Sequence, residues 1–121
     1  MDSFEAGSAT GFPLTTADGL DYARWLAAQA HARGLALAQK NAASLTADLA
    51  GLYDAALTED CFQDGWCAEV LAYPAAGKPV FMAEYTDTGV DFAAACAWGQ
   101  PRGFSPILKD RALTSSFQAC P

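Results

Sequence analysis

Residues 79–85 read Pro-Val-Phe-Met-Ala-Glu-Tyr, an apolar run that ends in an acidic residue and a tyrosine. Its length and its valine and phenylalanine content predict a buried strand over residues 79–83. Three further short apolar runs predict strands over residues 35–38, 55–58 and 104–108. The chain therefore has four candidate strands at fairly regular intervals.

Helical patterns precede or separate these strands. The predicted helices span about residues 16–33, 43–53, 66–76 and 89–98. Thr15 and Asp18 resemble a capping box at the start of the first helix, and Gly34 is placed to end it. Alternation of helices and strands predicts an α/β fold with parallel strands and crossover helices.

Each predicted strand is followed by polar or ionisable residues. The four clusters are Gln39-Lys40-Asn41, Glu59-Asp60, Glu84-Tyr85 and Lys109-Asp110. In α/β folds the ligand binds at the carboxyl ends of the strands. The repetition predicts a functional edge built from four strand ends, as in half of a barrel.

Length and composition limit the classes of protein. The chain has 121 residues, a formal net charge of −7 and 52% hydrophobic residues. This composition excludes a disordered chain, and the acidic balance argues against a nucleic-acid partner. No run approaches the roughly 18 apolar residues of a membrane span, so no membrane partner is expected. We expect one domain over residues 1–121, too short for a complete (β/α)8 barrel of about 250 residues.

Four cysteines are present, at positions 61, 67, 96 and 120. An even count suits two disulfides, with three connectivities to choose from. The spacing of Cys61 and Cys67 allows a short local loop, while buried free thiols remain an alternative. A metal site is disfavoured because there is no C-x-x-C pair and His31 is the sole histidine. No cofactor is expected.

Several motifs together resemble one family, glycoside hydrolase family 114, the endo-α-1,4-polygalactosaminidases. The chain is similar to the C-terminal half of that family's barrel. The matching stretches are MDSF at 1–4, GFPLT at 11–15, YARWLAAQAHARGL at 22–35, QKN at 39–41, EDCFQDGWC at 59–67, AGKPVFMAEY at 76–85 and FSPILK at 104–109. The family usually has EQCF where this chain has EDCF, and Gly65-Trp66 before Cys67 also departs from its pattern.

The resemblance implies a (β/α)8 TIM barrel, present here as a C-terminal half with about four parallel βα units. Asp2 would follow the fourth strand of such a barrel, and strands one to four would be absent. A similar cysteine placement implies the disulfides Cys61–Cys67 and Cys96–Cys120. Residues 1–5 lack the positive region and apolar core of a secretory signal, although disulfides form in oxidising compartments, so secretion is expected of a longer, full-length parent.

By this resemblance Asp2 and Glu59 are the two catalytic carboxyl groups. Glu59 is expected to be the general acid, with a pKa raised by burial beside Phe62. Asp2 is expected to be the nucleophile or to stabilise the transition state. The expected substrate is an α-1,4-linked galactosamine-containing polysaccharide, whose cationic form an acidic cleft would attract.

Six further residues are candidates for substrate binding: Lys40, Asn41, Trp66, Glu84, Tyr85 and Lys109. For Glu84 a structural ion pair with a strand-end lysine is the alternative interpretation. Open sheet edges predict self-association, and the partial barrel is expected to have weak activity or none. Two other functions stay open: a Schiff-base lyase that uses Lys40 or Lys109, and a non-catalytic sugar-binding remnant.

Overall fold

A computed structural model describes residues 11–121. These residues form an α/β fold around a sheet of five strands in the order β1-β2-β3-β4-β5. The strands are β1 Ala38–Lys40, β2 Ala55–Glu59, β3 Val80–Tyr85, β4 Phe104–Lys109 and β5 Phe117–Ala119. The first four strands are parallel to their neighbours, as predicted, and β5 is antiparallel to β4. Within the described residues the sheet is open, with β1 and β5 at its edges.

The α-helices are α1 Thr16–His31, α2 Thr46–Leu49, α3 Ala72–Ala75 and α4 Phe92–Gly99. The capping box of Thr15 and Asp18 is present, and Gly34 follows α1 with a positive φ of 69°. Two predicted helices are shorter than expected. Each consists of a 3₁₀ turn, Ala43–Leu45 or Cys67–Val70, followed by one α-helical turn.

Local residue preferences explain the two shortened helices. The segment around α2 contains Ser44, Thr46 and Asp48, whose side chains compete for backbone hydrogen bonds. The turn α3 contains Pro74, which lacks a backbone donor. In both crossovers from one strand to the next, the helix is therefore reduced to a few turns.

The core lies between one face of the sheet and the helices. Ala23 and Ala27 of α1 are buried there, as are Val80 and Met82 of β3. The other face of the sheet is open: Leu57, Phe81 and Ser105 are neighbours across three strands, and Phe81 is 47% exposed. In a (β/α)8 barrel the helices lie outside, so this open face corresponds to the barrel interior.

Both disulfides expected from the resemblance are present, Cys61–Cys67 and Cys96–Cys120. They use every cysteine, so the alternatives of free thiols and of a cysteine-bound metal are wrong. The second disulfide joins α4 to the residue after β5. In the part of the chain from residue 11 onward, no helix is long and apolar enough to cross a bilayer.

Candidate functional site

The carboxyl ends of β1, β2 and β3 bring three of the predicted site residues together around a fourth, Glu59. Its Oε2 atom lies 2.6 Å from Lys40 Nζ and accepts a hydrogen bond of 3.3 Å from Asn41 Nδ2. Its Oε1 atom accepts a 2.7 Å hydrogen bond from the Tyr85 hydroxyl. Both carboxylate oxygens are therefore held in place, and Glu59 remains partly open to solvent.

Asn41 is itself held in a strained conformation at the end of β1. Asn41 and Ala42 both have positive φ, 49° and 52°, a region that residues other than glycine rarely adopt. The buried side chain of Gln39 donates from Nε2 to the carbonyl oxygens of Asn41 and Ala42, at 2.8 and 3.0 Å. In this turn Asn41 Oδ1 accepts a 2.8 Å hydrogen bond from the Glu59 backbone N–H. Such strain is typical of functional sites.

The expected rise in the pKa of Glu59 is wrong for this arrangement. Burial does raise the pKa, but hydrogen bonds from Lys40, Tyr85 and Asn41, together with the positive charge of Lys40, outweigh that effect. The net result is a pKa below the usual value of a glutamate. Glu59 is therefore an ionised carboxylate at neutral pH. The polar groups at the ends of β1 and β3 thus outweigh the apolar neighbours on which the prediction rested.

Tyr85 connects Glu59 to an arginine that the sequence analysis missed. The Arg111 guanidinium carbon lies 3.9 Å from the centre of the Tyr85 ring. Arg111 also forms ion pairs with Asp60, at 2.9 Å, and with Asp87, at 3.1 Å. Burial and the bond to Glu59 raise the pKa of Tyr85 to about 12, so its hydroxyl stays a donor at neutral pH. The only sequence signal for Arg111 was its position directly after Lys109-Asp110.

A cleft of about 520 Å³ opens beside Glu59. It is lined by Asn41, Ala42, Ala43, Ser44, Glu59, Asp64, Trp66 and Glu69. Trp66, a predicted sugar-binding residue, lies on its wall, and three of the lining residues carry carboxyl groups. The cleft therefore offers an aromatic surface and negative charge next to the candidate catalytic glutamate.

Glu84 is not placed to bind substrate, which corrects the prediction. Its side chain is fully buried, and its two carboxylate oxygens accept hydrogen bonds from the backbone N–H groups of Phe62 and Gln63, at 2.8 and 3.1 Å. The alternative interpretation, an ion pair of Glu84 with a strand-end lysine, is also wrong: Lys40 pairs with Glu59, and Lys109 donates to backbone carbonyl oxygens. Burial raises the pKa of Glu84 in spite of these two bonds, and the charges of Asp60 and Asp64 raise it further.

Lys109 has a structural task in this part of the chain. Its Nζ donates to the carbonyl oxygens of Thr114 and Ser116, the latter at 2.8 Å, and thereby holds the segment that leads into β5. Among the described residues the structure does not bring Lys109 into contact with Glu59. Asp2, the predicted second carboxylate, lies outside the described residues.

Comparisons with known proteins agree with the family and the fold. The model of the glycoside-hydrolase family GH114 matches residues 1–121. The structure is similar to the crystal structure of Aspergillus fumigatus Ega3 in complex with galactosamine, with a TM-score of 0.80 and 28% sequence identity. That match covers 91% of this chain and 48% of Ega3, so the chain spans about half the length of this relative. No curated protein matches the chain significantly.

Proposed function

Because the chain belongs to glycoside-hydrolase family GH114, we propose that it contributes to hydrolysis of a galactosamine-containing polysaccharide, with Glu59 as one of two catalytic carboxyl groups. The observation that carries this proposal is the position of Glu59. It ends β2 at the carboxyl edge of the sheet, both its oxygens are held by side chains, and it lines the cleft. The galactosamine bound to the similar Ega3 supports the substrate class.

The chemistry requires one carboxyl group as proton donor and a second as nucleophile or base. We assign the second role to Asp2 from the family resemblance. In a retaining reaction the acid later acts as a base, and for that step the ionised Glu59 is already in the right form. For the first step Glu59 must be protonated, a form that the Lys40 ammonium beside Oε2 disfavours.

The charge of the cleft supports a cationic substrate. Asp64 and Glu69 line it together with Glu59, and the whole chain carries a net charge of −7. Amino groups of a deacetylated galactosamine polymer would be attracted to such a surface. Trp66 offers a ring face against which a sugar can pack. Asn41 lines the same cleft and offers a polar side chain to the sugar.

Two further expectations belong to this proposal. We place the activity outside the cell, because two disulfides suit an oxidising compartment. We also regard residues 1–121 as one partial-barrel domain whose open sheet face needs cover, from further barrel strands or from self-association. The exposed Phe81 and the half-length match to Ega3 support this view.

The experiment is turnover of a partly deacetylated galactosamine polymer. It compares the 121-residue chain with a completed barrel, in which the chain is fused to the part of Ega3 that the match leaves uncovered. We expect activity in the completed barrel and its loss in Glu59→Gln, while Asp48→Asn, the same charge change on the exposed surface of α2, leaves it intact. Borohydride trapping of a carbonyl substrate on Lys40 or Lys109 would instead support a Schiff-base lyase.

A further inference from the structure

Glu84 is a buried charged group that the proposed reaction does not use. It continues the buried positions of β3, after Val80 and Met82, and its side chain is fully enclosed. A buried carboxylate is costly unless it is well bonded, because it loses its hydration. Here its two oxygens accept hydrogen bonds from two consecutive backbone N–H groups, those of Phe62 and Gln63. A group of this kind requires an explanation beyond packing.

The two amides belong to the loop of residues 60–66, which we call the cleft loop. It begins at Asp60, whose N–H bonds to the Ala83 carbonyl oxygen at 2.8 Å, and it is closed by the Cys61–Cys67 disulfide. Asp64 and Trp66 of this loop line the cleft beside Glu59. The disulfide fixes the two ends of the loop, and Glu84 holds its middle.

We propose that Glu84 is a positioning residue, whose carboxylate holds the cleft loop so that Asp64 and Trp66 form the wall of the cleft next to Glu59. This inference rests on the proposed function, because that function makes the wall of the cleft a binding surface for the polymer. Glu84 acts through the loop backbone and does not touch the substrate. Its effect on the site is therefore on binding geometry and not on the bond that is cleaved.

A carboxylate suits this position better than an amide. Two N–H donors point at Glu84, and a carboxylate offers an acceptor to each of them, whereas a glutamine offers one acceptor and one competing donor. The charged groups that face Glu84 are Asp60 and Asp64, both on the cleft loop. Asp60 is paired with Arg111 at 2.9 Å, which offsets part of that repulsion. The two nearby sulfurs are bonded to each other and carry no charge.

The arrangement makes the cleft loop sensitive to pH. A protonated Glu84 keeps its shape but is a weaker acceptor for the two amides. Since burial raises the pKa of Glu84, this change occurs at a higher pH than for an ordinary glutamate. Acidification would therefore weaken these two hydrogen bonds to the cleft loop before most other carboxyl groups titrate.

The direct test is a pH titration of the backbone amide signals of Phe62 and Gln63 by NMR, in the 121-residue chain. We expect both amide protons to shift together, with one midpoint above the usual glutamate value of 4.5. In Glu84→Gln that shared transition should disappear, while Asp48→Asn should keep it. Amide signals that do not move, or that titrate unchanged in Glu84→Gln, would overturn the proposal.

A second measurement separates positioning from plain structural support. In the completed barrel, Glu84→Gln should raise the KM for the galactosamine polymer several-fold and change kcat less. Unchanged kinetics in a folded Glu84→Gln would overturn the positioning role even if the amides titrate. Failure of the proposed function would be recognised differently: Glu59→Gln would keep full turnover while the Phe62 and Gln63 amides still titrate.

The wild-type chain provides a readout that does not depend on whether a variant folds. Its affinity for the polymer, measured across the same pH range by titration calorimetry, should weaken with the midpoint shown by the Phe62 and Gln63 amides. An affinity that is constant through that midpoint would overturn the proposal. Asp64 and Glu69 also line the cleft, so their carboxyl signals are followed in the same NMR series.

Discussion

Glu59 and Glu84 lie at the ends of adjacent strands, yet the structure gives them opposite environments. Glu59 pairs in register with Ala83, so Glu84, one residue further, points to the other face of the sheet. Glu59 faces the open side and is held by Lys40 and Tyr85, whereas Glu84 faces the enclosed side and is held by backbone amides. The pKa of the first is lowered and that of the second is raised. The face of the strand, and not the residue type, decides what each carboxyl group can do.

The largest expected difference between the two glutamates is in catalysis. In the completed barrel, Glu59→Gln should reduce turnover of the galactosamine polymer by about 10²–10⁴, the usual cost of removing a general acid–base group. Glu84→Gln should have a much smaller effect on kcat, since Glu84 does not line the cleft. The measurement is steady-state kinetics of both variants. The opposite order would move the centre of the site to the end of β3.

The next effect is on stability, where the order is reversed. Glu84→Leu leaves the N–H groups of Phe62 and Gln63 without acceptors and should cost about 1–3 kcal/mol. Glu59→Leu removes a partly exposed ion pair and should cost about 0–1 kcal/mol. Urea unfolding of the 121-residue chain at pH 7 measures both. Equal losses would show that the two environments differ less than the geometry indicates.

A smaller effect concerns the pH dependence of the free energy of unfolding. The lowered pKa of Glu59 contributes stability above about pH 4.5, and this is lost as the pH falls through its folded-state pKa. The raised pKa of Glu84 has the opposite sign: its contribution is present below about pH 4.5 and is lost as the pH rises through its folded-state pKa. The check is the difference in unfolding free energy between wild type and each glutamine variant from pH 3 to 8. Slopes of the same sign would contradict the assignment.

The smallest effect tests the ion pair of Glu59. Lys40→Met removes the ammonium at 2.6 Å, so the pKa of Glu59 should rise and the basic limb of the pH–rate profile of the completed barrel, where the required proton donor is lost, should move to higher pH. Stability should change by less than about 1 kcal/mol, because both side chains are partly exposed. Arg24→Met, which breaks the surface pair with Asp21, is the matched control. An unmoved basic limb would mean that Lys40 does not control the protonation of Glu59.

The parallel α/β fold was predictable because its signals are local and repeated. Apolar runs of strand length gave β2, β3 and β4 within one or two residues. The strand β5 was missed, since its three residues are all exposed and carry no alternating pattern. Its position depends on pairing with β4 and on the Cys96–Cys120 disulfide, which are contacts between distant parts of the chain.

The candidate site was predictable to a smaller extent. The strand-end rule placed Lys40, Asn41, Glu59 and Tyr85 together, and these residues do meet. It misplaced Glu84, because residues 80–83 are all apolar and only the structure, in which Val80 and Met82 are buried and Phe81 is exposed, assigns residue 84 to the buried face. Arg111 comes from a loop, where no periodicity indicates which way a side chain points.

The antiparallel strand β5 has a practical consequence for anyone who prepares this protein. It covers Ile107–Lys109 at the margin of the sheet, and the covalent bond that retains it is cleaved by common reductants. In a reducing cytosol the tail can detach, and the bared margin of β4 becomes a template for pairing with another chain. We therefore expect protein prepared under reducing conditions to be less soluble than protein prepared under oxidising conditions. Expression in an oxidising compartment, with purification free of thiol reagents, should give the better-behaved material.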